Sequence, residues 1–349
     1  TRLPRLGGYG VLPMNEPCIV CFVIIPSAAE NCNRFLSQDF RLPARARKWH
    51  ISYFAMLLHR KKLPKTREAV IEWSHRFEKQ VTAMKYALTN GVILDGSKDM
   101  QPQRGKTVLT DGEIITAIVQ DDADLNGYTV IDLQNRYLMP GLINMHVHLA
   151  GNGKPQKKQR DNEALVKKIM ASGLTRAVAY RMVAGFAKLE LLSGVTTIRT
   201  VGGLGSFDTR LRDEIAAGCR VGPRILAANQ GISVPGGHMA GSVAVAAHSN
   251  EEALQVLAQA ESEGVDLVKL MITGGVLDAK EKGVPGALKM PPEMVKAVCD
   301  KAHADGYTVA AHVESPEGVK VALQNGVDSI EHGAKPDDEM IELDRKSVV

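Results

Sequence analysis

Two histidines separated by one residue stand at the end of an apolar run. His146 and His148 close the segment 138–149, which we predict to be a single β-strand. Side chains alternate faces along a strand, so both imidazoles leave on the same side, with their Cα atoms about 7 Å apart. Two neutral imidazoles that converge in this way can share one divalent metal ion. A pair of solvated histidines at an exposed strand end is the alternative.

A lysine lies in the middle of a second apolar run. Lys269 is flanked by apolar residues in the segment 266–272, and two later segments of strand character end in His312 and His332. A charged amine inside a buried strand costs several kcal/mol unless it is paired, neutralised or modified. Carbamylation by CO₂ would convert this amine into a carboxylate that can bridge two metals. The presence of Lys269 together with four histidines therefore indicates that this lysine is a metal ligand.

Strands and helices alternate through most of the chain and must position these residues. From residue 138 onward, predicted strands are separated by segments of helical period. These segments are 164–170, 176–193, 208–217, 250–263, 292–305 and 316–325. This alternation predicts a parallel α/β architecture, and polar residues at the strand ends favour a barrel. Between 84 and 137, short strands separated by Gly, Asn and Asp predict a β-rich flank.

The motifs, taken in order, resemble those of the amidohydrolase superfamily. The similarity is greatest to the branch that holds imidazolonepropionase-like enzymes and metal-dependent Xaa-Pro dipeptidases. It extends over roughly residues 84–343, and the motifs that carry it are 140–148, 194–199, 268–269, 311–312 and 331–333. The resemblance implies an α/β fold with a (β/α)8 TIM-like barrel and a small flanking β-sandwich. About six of the eight barrel units are present, so the barrel is expected to be truncated.

The resemblance also implies a metal site and a reaction. In the family, positions matching His146 and His148 bind one metal, those matching His312 and His332 bind a second, and the lysine matching Lys269 bridges both when carbamylated. We expect Zn²⁺ or another divalent metal, as one or two ions. The implied reaction is hydrolysis of a non-peptide or dipeptide C–N (amide) bond through a metal-activated hydroxide. The aspartate that the eighth strand normally supplies is absent, so this truncated chain is expected to lack full activity.

Two further residues are candidates for substrate contact. His238 follows two glycines in the loop 234–241, where the backbone can approach a ligand closely. It could polarise a substrate carbonyl as a catalytic residue, or be a plain loop histidine. Arg199 ends a predicted strand and could bind a substrate carboxylate through two hydrogen bonds. A structural ion pair is an equal alternative for Arg199. The family often has an aspartate at the position of Thr200, so a role carried by that acid is not expected in this chain.

Two other functional classes stay open at this stage. A metal-dependent deaminase could use the same scaffold, although deaminases generally lack the bridging lysine. A catalytically dead fragment or a binding protein is the other alternative. The expected partner is a small-molecule substrate, without nucleic acid or membrane, and a homo-oligomer is compatible with the sequence. The part of the chain that resembles an enzyme has only Cys219 and Cys299, which favours the reducing cytoplasm.

The two ends of the chain differ from its middle. Residues 1–83 contain 14 Lys and Arg against 6 Asp and Glu. Residues 1–64 show no sustained period, and 65–79 could form one amphipathic helix. We interpret this segment as non-native or disordered, with the natural start at Met84. Residues 84–137 are then the flank and 138–343 the incomplete barrel. We interpret 344–349 as an artefactual tail without helical or strand period.

Overall fold

The computed structural model of the chain describes residues 22–25, 85–151, 153, 161–276 and 286–346. Seven strands form two small sheets in its first part. One sheet has the order β5-β4-β2-β6 and the other the order β1-β7-β3. The strands are β1 Phe22–Ile25, β2 Lys85–Thr89, β3 Val92–Ile93, β4 Lys106–Asp111, β5 Ile114–Gln120, β6 Thr129–Asp132 and β7 Tyr137–Pro140.

The two small sheets share one apolar cluster. Leu88 and Val108 of the first sheet pack with Ile93 and Leu138 of the second, and all four side chains are buried. The predicted β-rich flank is therefore present, and it ends at Pro140, three residues later than expected. Strand β1 pairs antiparallel with β7. The interpretation of residues 1–83 as non-native or disordered stays a prediction, and apart from 22–25 this segment lies outside the described residues.

The predicted single strand 138–149 is interrupted. Strand β7 ends at Pro140 and pairs in the small sheet, whereas the next strand starts at Leu142 and pairs parallel with a different partner. Gly141 lies between them, and a Cβ atom there would be 2.1 Å from Thr196 Oγ1. Only glycine allows the backbone to pass so close to this side chain. The expectation of one continuous strand was wrong. The pattern of residues 138–149 cannot show this break, because Thr196, which makes the close contact, lies 55 residues further along the chain.

Parallel strands dominate the second part of the chain. One sheet has the order β10-β9-β8 and the other the order β12-β11-β13-β14-β15. The two are joined at Asp266, whose N–H donates to the Ala227 carbonyl and whose carboxylate accepts the Ala227 N–H, both at 2.8 Å. The strands are β8 Leu142–Val147, β9 Val195–Thr200, β10 Arg224–Ala227, β11 Gly231–Ser233, β12 Ala244–Ala246, β13 Val268–Met271, β14 Val309–Val313 and β15 Ser329–His332.

Helices follow the parallel strands, as the sequence predicted. The helices are α1 Asn162–Met170, α2 Gly173–Leu192, α3 Phe207–Ala216, α4 Asn250–Ser262, α5 Pro292–Ala304, α6 Pro316–Gln324 and α7 Asp338–Lys346. Side-chain caps set the starts of α4 and α6: Ser249 accepts the N–H of Glu252, and Ser315 accepts that of Gly318. Helix α7 includes residues 344–346, so the expectation of an irregular tail was wrong for these three, and 347–349 lie outside the described residues.

The core divides between the two groups of parallel strands. One apolar cluster packs β8, β9 and β10 against α2 and α3, and a larger one packs β13 and β14 against α4, α5 and α6. The polar C-terminal ends of β8, β14 and β15 are left to face one another. Within the described ranges, no helix has both the length and the apolar character that a membrane crossing requires.

Replacing Gly141 by alanine should destabilise the protein at the junction of the two sheet systems. Thr196 is β-branched and cannot easily turn its side chain away, so we expect a loss of about 1–3 kcal/mol in the free energy of unfolding. Gly185→Ala is the matched control, because Gly185 lies in α2 with open space around it. Alanine should be neutral there or stabilise by up to about 1 kcal/mol. Urea unfolding of both variants measures this, and equal effects would contradict the close approach.

Candidate metal centre

The fold brings the predicted histidines into one row. His146 lies near the end of β8, His312 is in β14 and His332 ends β15. The imidazole of His332 is 4.8 Å, between ring centroids, from those of both His146 and His312. His148 extends the row on one side, with its ring 5.0 Å from that of His146. The convergence follows from topology, since the carboxyl ends of parallel strands meet at one edge of their sheet.

The hydrogen bonds of His146 and His148 fix which ring nitrogens carry protons. His148 Nδ1 lies 3.0 Å from the Gly202 carbonyl oxygen, and His146 Nδ1 lies 2.7 Å from Glu331 Oε2. Both oxygens only accept hydrogen bonds, so each Nδ1 is a donor and each neutral ring has its lone pair on Nε2. The two Nε2 atoms are 3.2 Å apart. Two lone pairs so close repel each other unless a cation lies between them, so this donor pair fits a metal.

Burial keeps the imidazoles of His148 and His312 in the neutral form that binds metals. Desolvation lowers the pKa of His148 to about 4, because its hydrogen bond to Gly202 opposes this only in part and the neighbouring His146 and Lys269 add to it. Desolvation also lowers the pKa of His312 to about 3, with further lowering by His238, Lys269 and His332. Near neutral pH, both rings therefore offer a lone pair.

Lys269 lies at the centre of the site and is almost completely buried. Its side chain projects from β13 with 1% exposure, and none of the described residues is within hydrogen-bond distance of Nζ. Desolvation lowers the pKa of Lys269 to about 7, although the nearby Glu331 carboxylate raises it and Arg199 lowers it further. A large fraction of this amine is therefore neutral and nucleophilic at neutral pH.

Glu331 connects three strands through one carboxylate. It accepts hydrogen bonds from His146 Nδ1 of β8 and from the Arg199 guanidinium of β9. Arg199 also donates to Ser329 Oγ at 3.0 Å and to the Met145 carbonyl at 2.8 Å. Burial would raise the pKa of Glu331, but the His146 hydrogen bond and the charges of Lys269 and Arg199 outweigh burial and hold the pKa at about 2. For Arg199, this geometry favours the ion-pair interpretation over contact with a substrate.

His238 lies over the second half of the site. Its ring stacks on that of His312, with centroids 3.9 Å apart and planes 8° from parallel. Gly275 makes room for it, because a Cβ there would be 2.5 Å from His238 Nδ1. The predicted candidate is thus beside the row of histidines, where it can reach a group bound there.

Sequence reasoning missed Glu314. The carboxylate of Glu314 and the ring nitrogens of His312 and His332 form a group whose ligand atoms all lie within 4.8 Å of one another. His312 and Glu314 have the same i, i+2 spacing that identified the pair His146 and His148. The spacing was a usable signal, but acidic residues are common where a strand turns into a helix.

A second buried carboxyl group lies behind the site. Asp208 lies in the first turn of α3, just after the loop 202–205, is buried, and has no hydrogen-bond partner for Oδ2 among the described residues. Gly203 packs against it, because a Cβ at Gly203 would lie 2.5 Å from Oδ2. Burial raises the pKa of Asp208 to about 6, opposed in part by the Thr200 hydroxyl. This carboxyl group therefore carries an unfavourable charge at neutral pH.

Comparison with known proteins gives consistent matches. Residues 137–346 match the sequence model of the amidohydrolase family. Ochratoxinase of Aspergillus niger is 25% identical over 281 residues, which cover 72% of this chain and 55% of that protein. Imidazolonepropionase of Xanthomonas campestris pv. campestris is 29% identical over 246 residues, covering 65% and 58%. The chain thus spans little more than half the length of the curated relatives it matches.

The structure also resembles solved structures. A Xaa-Pro dipeptidase with methionine bound in its active site is 32% identical, covers 74% of this chain and 64% of its own, and superposes with a TM-score of 0.61. The A. niger ochratoxinase structure superposes with a TM-score of 0.61 at 21% identity, over 76% of this chain and 64% of its own. The similarity to these structures, together with the parallel strands and their helices, confirms a TIM-barrel-like α/β fold.

Asp208→Asn should change how stability depends on pH. The pKa of Asp208 rises from 3.8 to about 6 on folding, so the native protein loses stability as pH rises from about 4 through about 6. Asparagine carries no charge, so its advantage over wild type should grow with pH by on the order of 2–3 kcal/mol. Denaturant unfolding at pH 4, 5, 6 and 7 measures this. Asp213→Asn, on the exposed face of α3, is the control. An advantage that stays constant with pH would contradict the buried-charge argument.

Proposed function

The chain belongs to the amidohydrolase family, and from this premise we propose that it is a hydrolase of a small-molecule amide C–N bond that depends on a divalent metal. The observation that carries the proposal is the close approach of the His146 and His148 Nε2 atoms, 3.2 Å apart, near the buried amine of Lys269. This amine has no hydrogen-bond partner among the described residues. Two neutral rings without a cation between them would leave this electrostatic conflict unrelieved. A cation relieves it.

We propose that the ligands form two sets joined by Lys269. His146 and His148 would hold one ion, and His312 and His332 would hold a second. The neutral Lys269 amine can attack CO₂: the N–C bond forms, one proton leaves the nitrogen, and a carbamate with one negative charge results. Zinc suits a set rich in imidazole, and the site chemistry also accepts other first-row divalent ions.

Bound metal supplies Lewis acidity, which lowers the pKa of water from about 15.7 to near 7 and polarises a carbonyl group. The residues of the chain supply the orientation. Glu331 and the Gly202 carbonyl hold the imidazoles of His146 and His148 in a single tautomer. We propose that His238, whose ring stacks on that of His312, donates a hydrogen bond to a substrate carbonyl.

The substrate class that we propose is a dipeptide or a cyclic amide. Support comes from the relatives, which include a Xaa-Pro dipeptidase and imidazolonepropionase. Lys269 disfavours the deaminase alternative, because deaminases on this scaffold generally lack a lysine that bridges two metals. Hydrolysis of a panel of Xaa-Pro dipeptides and cyclic amides, followed by release of the amine, tests the class directly.

We also propose that the native fold is an eight-stranded barrel to which β8, β9, β10, β13, β14 and β15 contribute six strands. Strand β8 supports this, since within the described residues it pairs only with β9 and leaves Leu142, Ile143 and Met145 more than 40% exposed. A further strand on that edge would cover them. Amide hydrogen exchange tests this: the outward N–H groups of β8 should exchange fast in this chain, and slow exchange would contradict an open edge.

Lys269→Ala should remove bound metal. We expect wild-type protein prepared with divalent metal and bicarbonate to contain close to two ions per chain, and Lys269→Ala to contain fewer, because the bridging carbamate is lost. Lys296→Ala, an exposed lysine of α5, is the matched control. Metal analysis by mass spectrometry, with circular dichroism to confirm folding, measures this. If wild type contains one ion and Lys269→Ala retains it, the bridging role of Lys269 is contradicted. If wild type contains no metal, the alternative of a binding protein is favoured.

A further inference from the structure

We propose that Glu314 is a metal ligand, which together with His312 and His332 forms a three-donor site supplied entirely by β14, β15 and the turn after β14. The inference rests on the proposed metal-dependent function and deepens it. It assigns to the second half of the centre a carboxylate that the sequence motifs do not mark. The preferred occupant is a first-row divalent ion such as zinc or cobalt.

The distances fit a common ligand sphere. Glu314 Oε1 lies 3.7 Å from His312 Nε2. One ligand atom from each of Glu314, His312 and His332 forms a group in which all atoms lie within 4.8 Å of one another. Ligands about 2.1 Å from a tetrahedral zinc ion are roughly 3.4 Å apart. Small side-chain rotations therefore bring all three donors to bonding distance around one ion.

The carboxylate of Glu314 lacks the partners that a structural role would give it. Its side chain is only 16% exposed, and Oε2 is buried without a hydrogen-bond partner among the described residues. A buried ionised carboxylate is costly unless it is paired or coordinates a metal. Ser315, and not Glu314, caps helix α6, so the helix start does not explain the acid. A cation bound beside His312 would explain the buried carboxylate.

The backbone holds Glu314 at the site. Its N–H donates to the hydroxyl of Thr273 at 3.0 Å, and Thr273 is completely buried just after β13. On the other side, Gly286 packs so close to the Glu314 carbonyl that a Cβ would be 2.4 Å from its oxygen. The Cα of Glu314 is therefore fixed relative to both β13 and β14, which is the preorganisation that a metal ligand needs.

The test is metal binding by the apo-protein, without any substrate. Wild type, Glu314→Gln and the control Glu317→Gln would be titrated with Zn²⁺ against a chelator of known affinity. Glu317 is exposed in the first turn of α6, three residues away. We expect Glu314→Gln to weaken one site at least about 100-fold and leave the other intact, and Glu317→Gln to match wild type. The visible absorption of bound Co²⁺ should lose intensity in Glu314→Gln only.

The outcomes separate this inference from the proposed function. Two sites in wild type with unchanged affinity in Glu314→Gln would overturn the role of Glu314 and leave the proposed function standing. No tight metal site in wild type would overturn both. Glu314→Ala, which removes the carboxylate without burying an amide, replaces Glu314→Gln if that variant does not fold. The same loss of one site is expected for it, and unchanged affinity would again overturn the inference.

Discussion

The carboxylate of Glu331 is the interaction on which the rest of the site depends. It joins β15 to β8 through His146 and to β9 through Arg199, in a part of the structure where water is largely excluded. Breaking a buried ion pair of this kind by removing one partner typically costs about 3–5 kcal/mol. The same contact forces a proton onto His146 Nδ1 and so aims the Nε2 lone pair of His146 at His148. Structural stability and ligand geometry thus come from one side chain.

The sequence predicted the strand ends of the site well because they follow from topology. Once six apolar runs alternate with helices, the polar residues at their carboxyl ends must meet, and His146, His312 and His332 do so. Helix bounds were also close, since Ser249 and Ser315 are recognisable caps. These features are local or repeat along the chain, so the amino-acid pattern alone contains them.

The features that the sequence did not predict depend on contacts between distant residues. The break at Gly141 is imposed by Thr196, which belongs to the neighbouring strand. Arg199 had two open interpretations until its partners Glu331 and Ser329 were located, more than 100 residues later. Glu314 is the clearest case: an acid after a strand is commonplace, and only its burial beside two imidazoles distinguishes it. Short strands such as β11, with three residues, also lack enough length for a periodic signal.

Charge balance links the state of Lys269 to the number of ions that the site can hold. The ion pair of Arg199 and Glu331 is neutral, and the histidines bind as neutral rings, so neither offsets a dication. The protonated Lys269 amine adds a positive charge, whereas its carbamate adds a negative one, a change of two charge units at the centre of the site. With Glu314, a carbamate gives two negative ligands. Without the carbamate, Glu314 alone would offset two dications, and these repel each other and a protonated Lys269 amine strongly in a region of low dielectric constant. In the proposed centre, occupation of both donor sets and carbamylation of Lys269 would therefore favour each other, and loss of either would destabilise the other.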